Sequence, residues 1–134
     1  MDYTGRIFCQ ERLMRILVID DELIILTAVQ RVFENKGFEV VSLNSGAGSF
    51  ETIAEFKPDF VFLDVKMPGD SGIDLLSGIK RDYPDIKVVM MSGYTSAETL
   101  EEAKRFGADA FIKKPFDNIF DLVKIVDSLN NKML

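Results

Sequence analysis

The chain has no histidine, no tryptophan, one cysteine and four prolines, and each shortage closes off some chemistry. Without histidine there is no imidazole base for a nucleophile triad, no histidine-held zinc and no phosphohistidine formed on this chain. The lone Cys9 builds neither an intramolecular disulfide nor a thiolate metal site, which suits a reducing, cytoplasmic setting. Basic residues are the minority, 16 against 22 acidic ones for a net charge of -6, and they form no cluster. Direct nucleic-acid binding, which needs massed Lys and Arg, is therefore not expected. No apolar run approaches the roughly 18 residues of a membrane span, and the first residues lack the apolar core of a secretory signal.

What is present is an ordinary globular composition, 47% hydrophobic and 28% charged over 134 residues, enough for one domain with its own core. Phe60-Val61-Phe62-Leu63 reads as a strand covered on both faces, and it runs into Asp64 before Met67-Pro68-Gly69 breaks it. Arg15 to Ile19 is a second buried-strand run, ending in Asp20-Asp21-Glu22. Around these two runs the chain alternates. Leu23 to Lys36 carries Ile25, Val29, Val32 and Phe33 at helical spacing, with Gly37 as the stop. Phe38 to Leu43 is a strand, and Phe50, Ile53 and Ala54 mark a short helix before Pro58. Ser71-Gly72 opens a helix through Leu75, Leu76 and Ile79, and Ile86 to Met91 is the fourth strand.

Thr95-Ser96-Ala97-Glu98 has the Thr-x-x-Glu spacing of a capping box, so a fourth helix is expected to start there and end at Phe106 before Gly107. Its apolar face is thin, only Ala97, Leu100 and Ala103, and a helix that buries little shifts easily. Ala110 to Lys113 is the fifth strand; Asp117 is the expected N-cap of a last helix that packs through Ile119, Leu122, Val123 and Val126. Phe120 and Ile125 fall off that stripe and read either as a dimer or partner surface or as ordinary exposed apolar residues. Residues 1–13 show no clean period; they read as an upstream extension or artificial leader before Met14, or as a short accessory helix, leaving 14–134 as the domain.

Five strands alternating with five helices through short joints specify an α/β fold with a five-stranded parallel sheet, right-handed crossovers and helices on both faces. The most economical strand order is 2-1-3-4-5, which puts Asp20, Asp21 and Asp64 at the switch point where such sheets bind ligands. A phosphate-binding loop would carry Gly, Ser or Thr after the first strand; here Asp-Asp-Glu repels anions and favours a hard cation, best matched by Mg²⁺. Taken singly, each carboxylate reads better as a helix-capping group; taken as a trio converging on one switch point, they favour the metal. Ser92 and Lys114 reach the same edge from the other strand tips, where hydroxyl, ammonium and cation together leave a place for a tetrahedral anion such as a phosphoryl group on Asp64. The plainer readings are a turn residue for Ser92 and an ion pair with the acidic cluster for Lys114.

With these motifs in order, the chain resembles the receiver domains of two-component response regulators from Met14 to about Leu129. The resemblance rests on Asp20-Asp21-Glu22 after the first strand, Asp64 within Phe62-Leu63-Asp64-Val65-Lys66-Met67-Pro68-Gly69, Ser92 after the fourth strand, and Lys114-Pro115-Phe116. It implies the flavodoxin-like, CheY-like fold and a phosphoacceptor rather than an enzyme acting on a separate substrate. It implies Asp64 as the phosphorylated residue and Mg²⁺ held by Asp20, Asp21, Asp64 and the backbone carbonyl of Lys66. It further implies phosphoryl contacts from Ser92 and Lys114, a cis bond before Pro115, and Ser92 with the rotating aromatic Phe111 as the switch.

Lys66 and Tyr94 flank the site at positions that, in the family, set how fast the aspartyl phosphate hydrolyses; a bulky Tyr94 is expected to shield it. The implied partners are a sensor histidine kinase or phosphotransfer protein, with a homodimer through the helix 4, strand 5 and helix 5 face also compatible. An aspartate-nucleophile hydrolase is a rival, but such enzymes want a carboxylate two residues on, where this chain has Lys66. A second rival is an adapter that is never phosphorylated.

Overall fold

The computed structural model describes residues 8–9, 12–93 and 96–133 of the chain. The strands of the main sheet are β1 (Arg15–Ile19), β2 (Glu39–Leu43), β3 (Phe60–Asp64), β4 (Lys87–Ser92) and β5 (Ala110–Lys113). Between and after them run α1 (Leu23–Glu34), α2 (Ser49–Phe56), α3 (Gly72–Asp82), α4 (Ala97–Arg105) and α5 (Phe120–Met133). All the pairings are parallel, in the order β2-β1-β3-β4-β5, which is the order expected from the short joints.

β3 is buried along its whole length, as a central strand must be when helices cover both faces. On one face Phe62 and Val18 meet Leu26, Val29 and Phe33 of α1 and Leu122 and Val126 of α5. The ring of Phe33 packs 5.2 Å from that of Phe38 and 5.4 Å from that of Phe62. On the other face Leu17, Leu63 and Met90 meet Ile53 of α2, Leu76 and Ile79 of α3 and Ala103 of α4. Ala103 is the one buried side chain of α4, against two buried leucine or isoleucine side chains on α3. The thin face of α4 is therefore real.

Two helix starts differ from expectation. Helix α4 is capped by Ser96, whose Oγ accepts from Thr99 N at 3.1 Å, so the cap sits one residue later than the Thr-x-x-Glu spacing placed it. Helix α5 begins at Phe120, not just after Asp117, and Asn118 Oδ1 accepts from Phe120 N at 2.9 Å. Short polar side chains compete for such positions, and the neighbour that wins is set by how the strand tip leaves the sheet. Ile125 of α5 is partly buried against the core, whereas Phe120 is 52% exposed. Among the described residues, no helix is long and apolar enough to cross a membrane.

At the opposite end of the sheet, two-residue segments Phe8–Cys9 and Arg12–Leu13 pair antiparallel. Arg12 lies within the expected leader, yet its guanidinium grips the buried carboxylate of Asp59 with two hydrogen bonds of 3.0 and 2.9 Å.

Candidate functional site

The parallel register carries four strand tips to one edge. Ile19 lies opposite Leu63, Asp64 opposite Met91, and Ser92 opposite Lys113, so the residues that follow or end these strands converge. The ladder hydrogen bonds continue one step beyond the strands: Asp20 N donates to the Leu43 carbonyl at 3.1 Å, and Lys114 N donates to the Ser92 carbonyl at 2.7 Å. These bonds fix the backbone from which the functional side chains project. Asp21, Glu22, Asp64, Lys66, Ser92 and Lys114 all line one cleft. Asp20 lies beneath it, fully buried.

Carboxylate oxygens of Asp20, Asp21 and Asp64 lie within 4.8 Å of one another. Lys114 Nζ donates to Asp20 Oδ2 at 2.9 Å and to Glu22 Oε1 at 2.8 Å, and stands 3.5 Å from Asp64 Oδ2. Burial, and then the charge of Asp20, push the Asp64 carboxyl up to about 6, against the smaller opposing pull of Lys114. Burial works against the charge of Lys114, but its hydrogen bonds to Asp20 and Glu22 and the field of Asp20 and Asp64 outweigh it and hold the ammonium above its usual range. One ammonium thus faces more negative charge than it can neutralise. Three oxygen donors, two buried and that of Asp21 exposed, around a charge-crowded spot fit a hard divalent cation that keeps part of its water.

Residues 16–127 match the family described as the response regulator receiver domain. The chain belongs to that family. It is accordingly a phosphoacceptor domain of two-component signal transduction, a class that takes its phosphoryl group from a histidine kinase or phosphotransfer partner and binds a divalent cation at an acidic pocket. The receiver is 33% identical over 112 residues to sporulation initiation phosphotransferase F of Bacillus subtilis, covering 82% of this chain and 90% of that protein. It is 38% identical over 104 residues to the nitrogen assimilation regulatory protein NtrX of Azorhizobium caulinodans, covering 76% of this chain but 23% of that much longer protein. Among solved structures, a CheY-like response regulator receiver domain protein from Methanospirillum hungatei JF-1 shares its fold with a TM-score of 0.85 at 30% identity, over 90% of this chain and 95% of that one.

Within this receiver, the expected site residues Asp20, Asp21, Asp64, Ser92 and Lys114 stand together at the cleft. The Lys114-Pro115 bond is cis. The Lys66 side chain is exposed, while its backbone N–H points to Asp64 Oδ1 at 3.5 Å. Phe111 is half-buried against the core on the α3 and α4 side of the sheet. Tyr94 lies outside the described residues.

Two residues matter more to the receiver's site than their sequence signals suggested. Glu22 reads as a third cation-seeking acid, but its carboxylate is spent on Lys114. Gly72 reads as the opening of a helix, but a Cβ there would fall on the Asp64 carbonyl oxygen and within 2.8 Å of Val65 Cα. A glycine in a first helical turn next to the strand that ends in Asp64 is the signal that would have exposed this.

Proposed function

We propose that Asp64 is the residue that accepts the phosphoryl group, supplied by a sensor histidine kinase or phosphotransfer protein. The observation that carries this reading is the placement of a buried carboxylate, 3.5 Å from the Lys114 ammonium and beside two further aspartates, at the mouth of an open cleft. An Asp64 oxygen attacks phosphorus as the donor bond breaks, and the new O–P bond leaves about -1.5 to -2 charge on the acyl phosphate. Lys114 and the Ser92 hydroxyl are the groups that meet that charge. Asp20, Asp21, Asp64 and the Lys66 carbonyl would hold Mg²⁺, which supplies the remaining neutralisation that phosphoryl transfer requires.

Drawing Ser92 toward the phosphoryl group gives Phe111 room to turn inward. The surface made by α4, β5 and α5 then shifts its population toward the form that an output domain, a partner or a second copy reads. Helix α4 suits this role because it buries one side chain. The reading also assigns residues 14–134 as the receiver in a cytoplasmic setting. It further makes the domain assist loss of its own phosphoryl group, with Tyr94 slowing water attack; Tyr94→Ala is expected to release phosphate faster.

The direct test is incubation with acetyl phosphate and Mg²⁺, followed by intact-mass measurement. One phosphoryl group is expected on the wild type and none on Asp64→Asn. Unlabelled wild type would favour an unphosphorylated adapter, and steady turnover of phosphomonoesters would favour a hydrolase.

A further inference from the structure

The Lys114 ammonium faces three carboxylates, and its shortest contact is not with the acceptor. Its Nζ lies 2.8 Å from Glu22 Oε1 and 2.9 Å from Asp20 Oδ2, but 3.5 Å from Asp64 Oδ2. These two partners differ in how firmly they are fixed. Asp20 is fully buried, and its other oxygen accepts from Glu22 N at 2.9 Å. Glu22 stands at the N-cap position of α1 with no side-chain capping bond, and its side chain is 58% exposed. Water is at hand to take over its carboxylate if the ammonium leaves.

A phosphoryl oxygen takes a lysine ammonium at about 2.7–2.9 Å, and a phosphoryl group on Asp64 would bring such oxygens to an ammonium whose two shortest contacts are already with Glu22 and Asp20. To turn its N–H donors to that group the ammonium has to loosen a present contact, and the one that lengthens most cheaply is that to the half-exposed Glu22. We propose that Glu22 is a positioning residue that holds Lys114 back from Asp64 until a phosphoryl group displaces it, so that phosphorylation exchanges one ion-pair partner of Lys114 for another. This rests on Asp64 being the acceptor, as proposed above. It gives Glu22 a part in setting how readily the domain charges and how tightly it keeps the phosphoryl group. The residue thereby belongs to the switch and not to the cation site that its place in the acidic triplet suggests.

Beryllofluoride, which mimics a phosphoryl group on a carboxylate, is the probe. Its affinity for wild type, Glu22→Gln and Glu22→Asp is measured by fluorine NMR in Mg²⁺, with acetyl phosphate uptake and a urea midpoint measured on the same samples. Glu22→Gln weakens the competing pair, and Glu22→Asp keeps the charge but falls a methylene short of Lys114. Both are expected to bind the probe about two- to fivefold more tightly, the worth of a half-exposed ion pair, to take up phosphoryl faster by a similar factor, and to keep the wild-type urea midpoint. Wild-type affinity in Glu22→Gln would overturn the exchange. So would tighter binding in Glu22→Gln alone, since that is what simple charge repulsion of the anion produces. If wild type neither binds the probe nor takes up phosphoryl, the assignment of Asp64 falls and this inference with it.

Discussion

Asp64 is held where its own charge is disfavoured, and that has a measurable consequence in the absence of divalent cations. Burial and the neighbouring Asp20 raise its carboxyl from the ordinary 3.8 to about 6 in the folded chain. Between those values the folded state keeps a proton that the unfolded state has released, so this group makes stability fall as pH rises through that window. About one pH unit above the folded value the loss is complete, and a shift of this size corresponds to about 3 kcal/mol, an upper figure for a site open to the cleft. Replacing Asp64 by Asn removes the penalty while keeping the shape. In EDTA, urea unfolding at pH 7 is expected to show Asp64→Asn more stable than wild type by about 1–3 kcal/mol, with the difference closing near pH 4. Equal or lower stability of the variant at pH 7 would mean that Lys114 already compensates the site. Asp64 is thus a residue kept at some cost to the fold, as functional groups often are.

At the scale of elements, α3 is docked so closely behind β3 that its first residue has no room for a side chain. The Gly72 N–H donates to the Val65 carbonyl at 2.8 Å, and a Cβ at Gly72 would meet backbone on the Asp64 side, which cannot swing away. At Gly78, further along the same helix, the nearest atoms to a Cβ belong to the Phe50 ring, and a ring can turn. Gly72→Ala is therefore expected to cost about 2–3 kcal/mol, at the upper end of overpacking, and to slow phosphoryl uptake by moving Asp64. Gly78→Ala is expected within about 1 kcal/mol of wild type, since alanine's helix propensity offsets the crowding. Urea melts and acetyl phosphate labelling of both variants check the contrast; similar losses in the two would locate the damage in the helix and not at the acceptor. The same elements show what a sequence makes legible. Strands with unbroken apolar runs, such as β3, and helices with a clear stripe, such as α1, were readable because burial demands those patterns, and the acidic tips were readable because strand order follows from short joints. The Ser96 and Asn118 caps, the grip of Glu22 on Lys114 and the crowding at Gly72 were not, because each depends on the angle at which a loop leaves the sheet.

Taken whole, the molecule has two unlike sheet ends. The C-terminal end gathers negative charge that one lysine cannot balance, while the N-terminal end is tied shut by a network centred on Asp59. That carboxylate takes two hydrogen bonds from the Arg12 guanidinium and a third, at 2.9 Å, from Arg15 N. Its backbone accepts from Lys87 N and donates to the Arg15 carbonyl, joining the starts of β1, β3 and β4. Arg15 itself pairs with Glu39 at 2.7 Å and covers the Phe56 ring, bringing in β2 and α2. Asp59 is 8% exposed, so removing Arg12 leaves a buried charge whose donor among the described residues is Arg15 N, a loss of about 1–3 kcal/mol. We expect Arg12→Ala and a chain begun at Met14 to lose that much in urea unfolding, and Arg12→Lys to recover only part of it, because an ammonium cannot span both oxygens as a guanidinium does. Phosphoryl uptake per folded molecule should stay at the wild-type rate in all three, since the cleft lies at the other end of the strands. Unchanged midpoints would show that the pair with Asp59 stabilises nothing and that the domain is complete from Met14; a loss of uptake without unfolding would show that the two ends of the sheet are mechanically coupled.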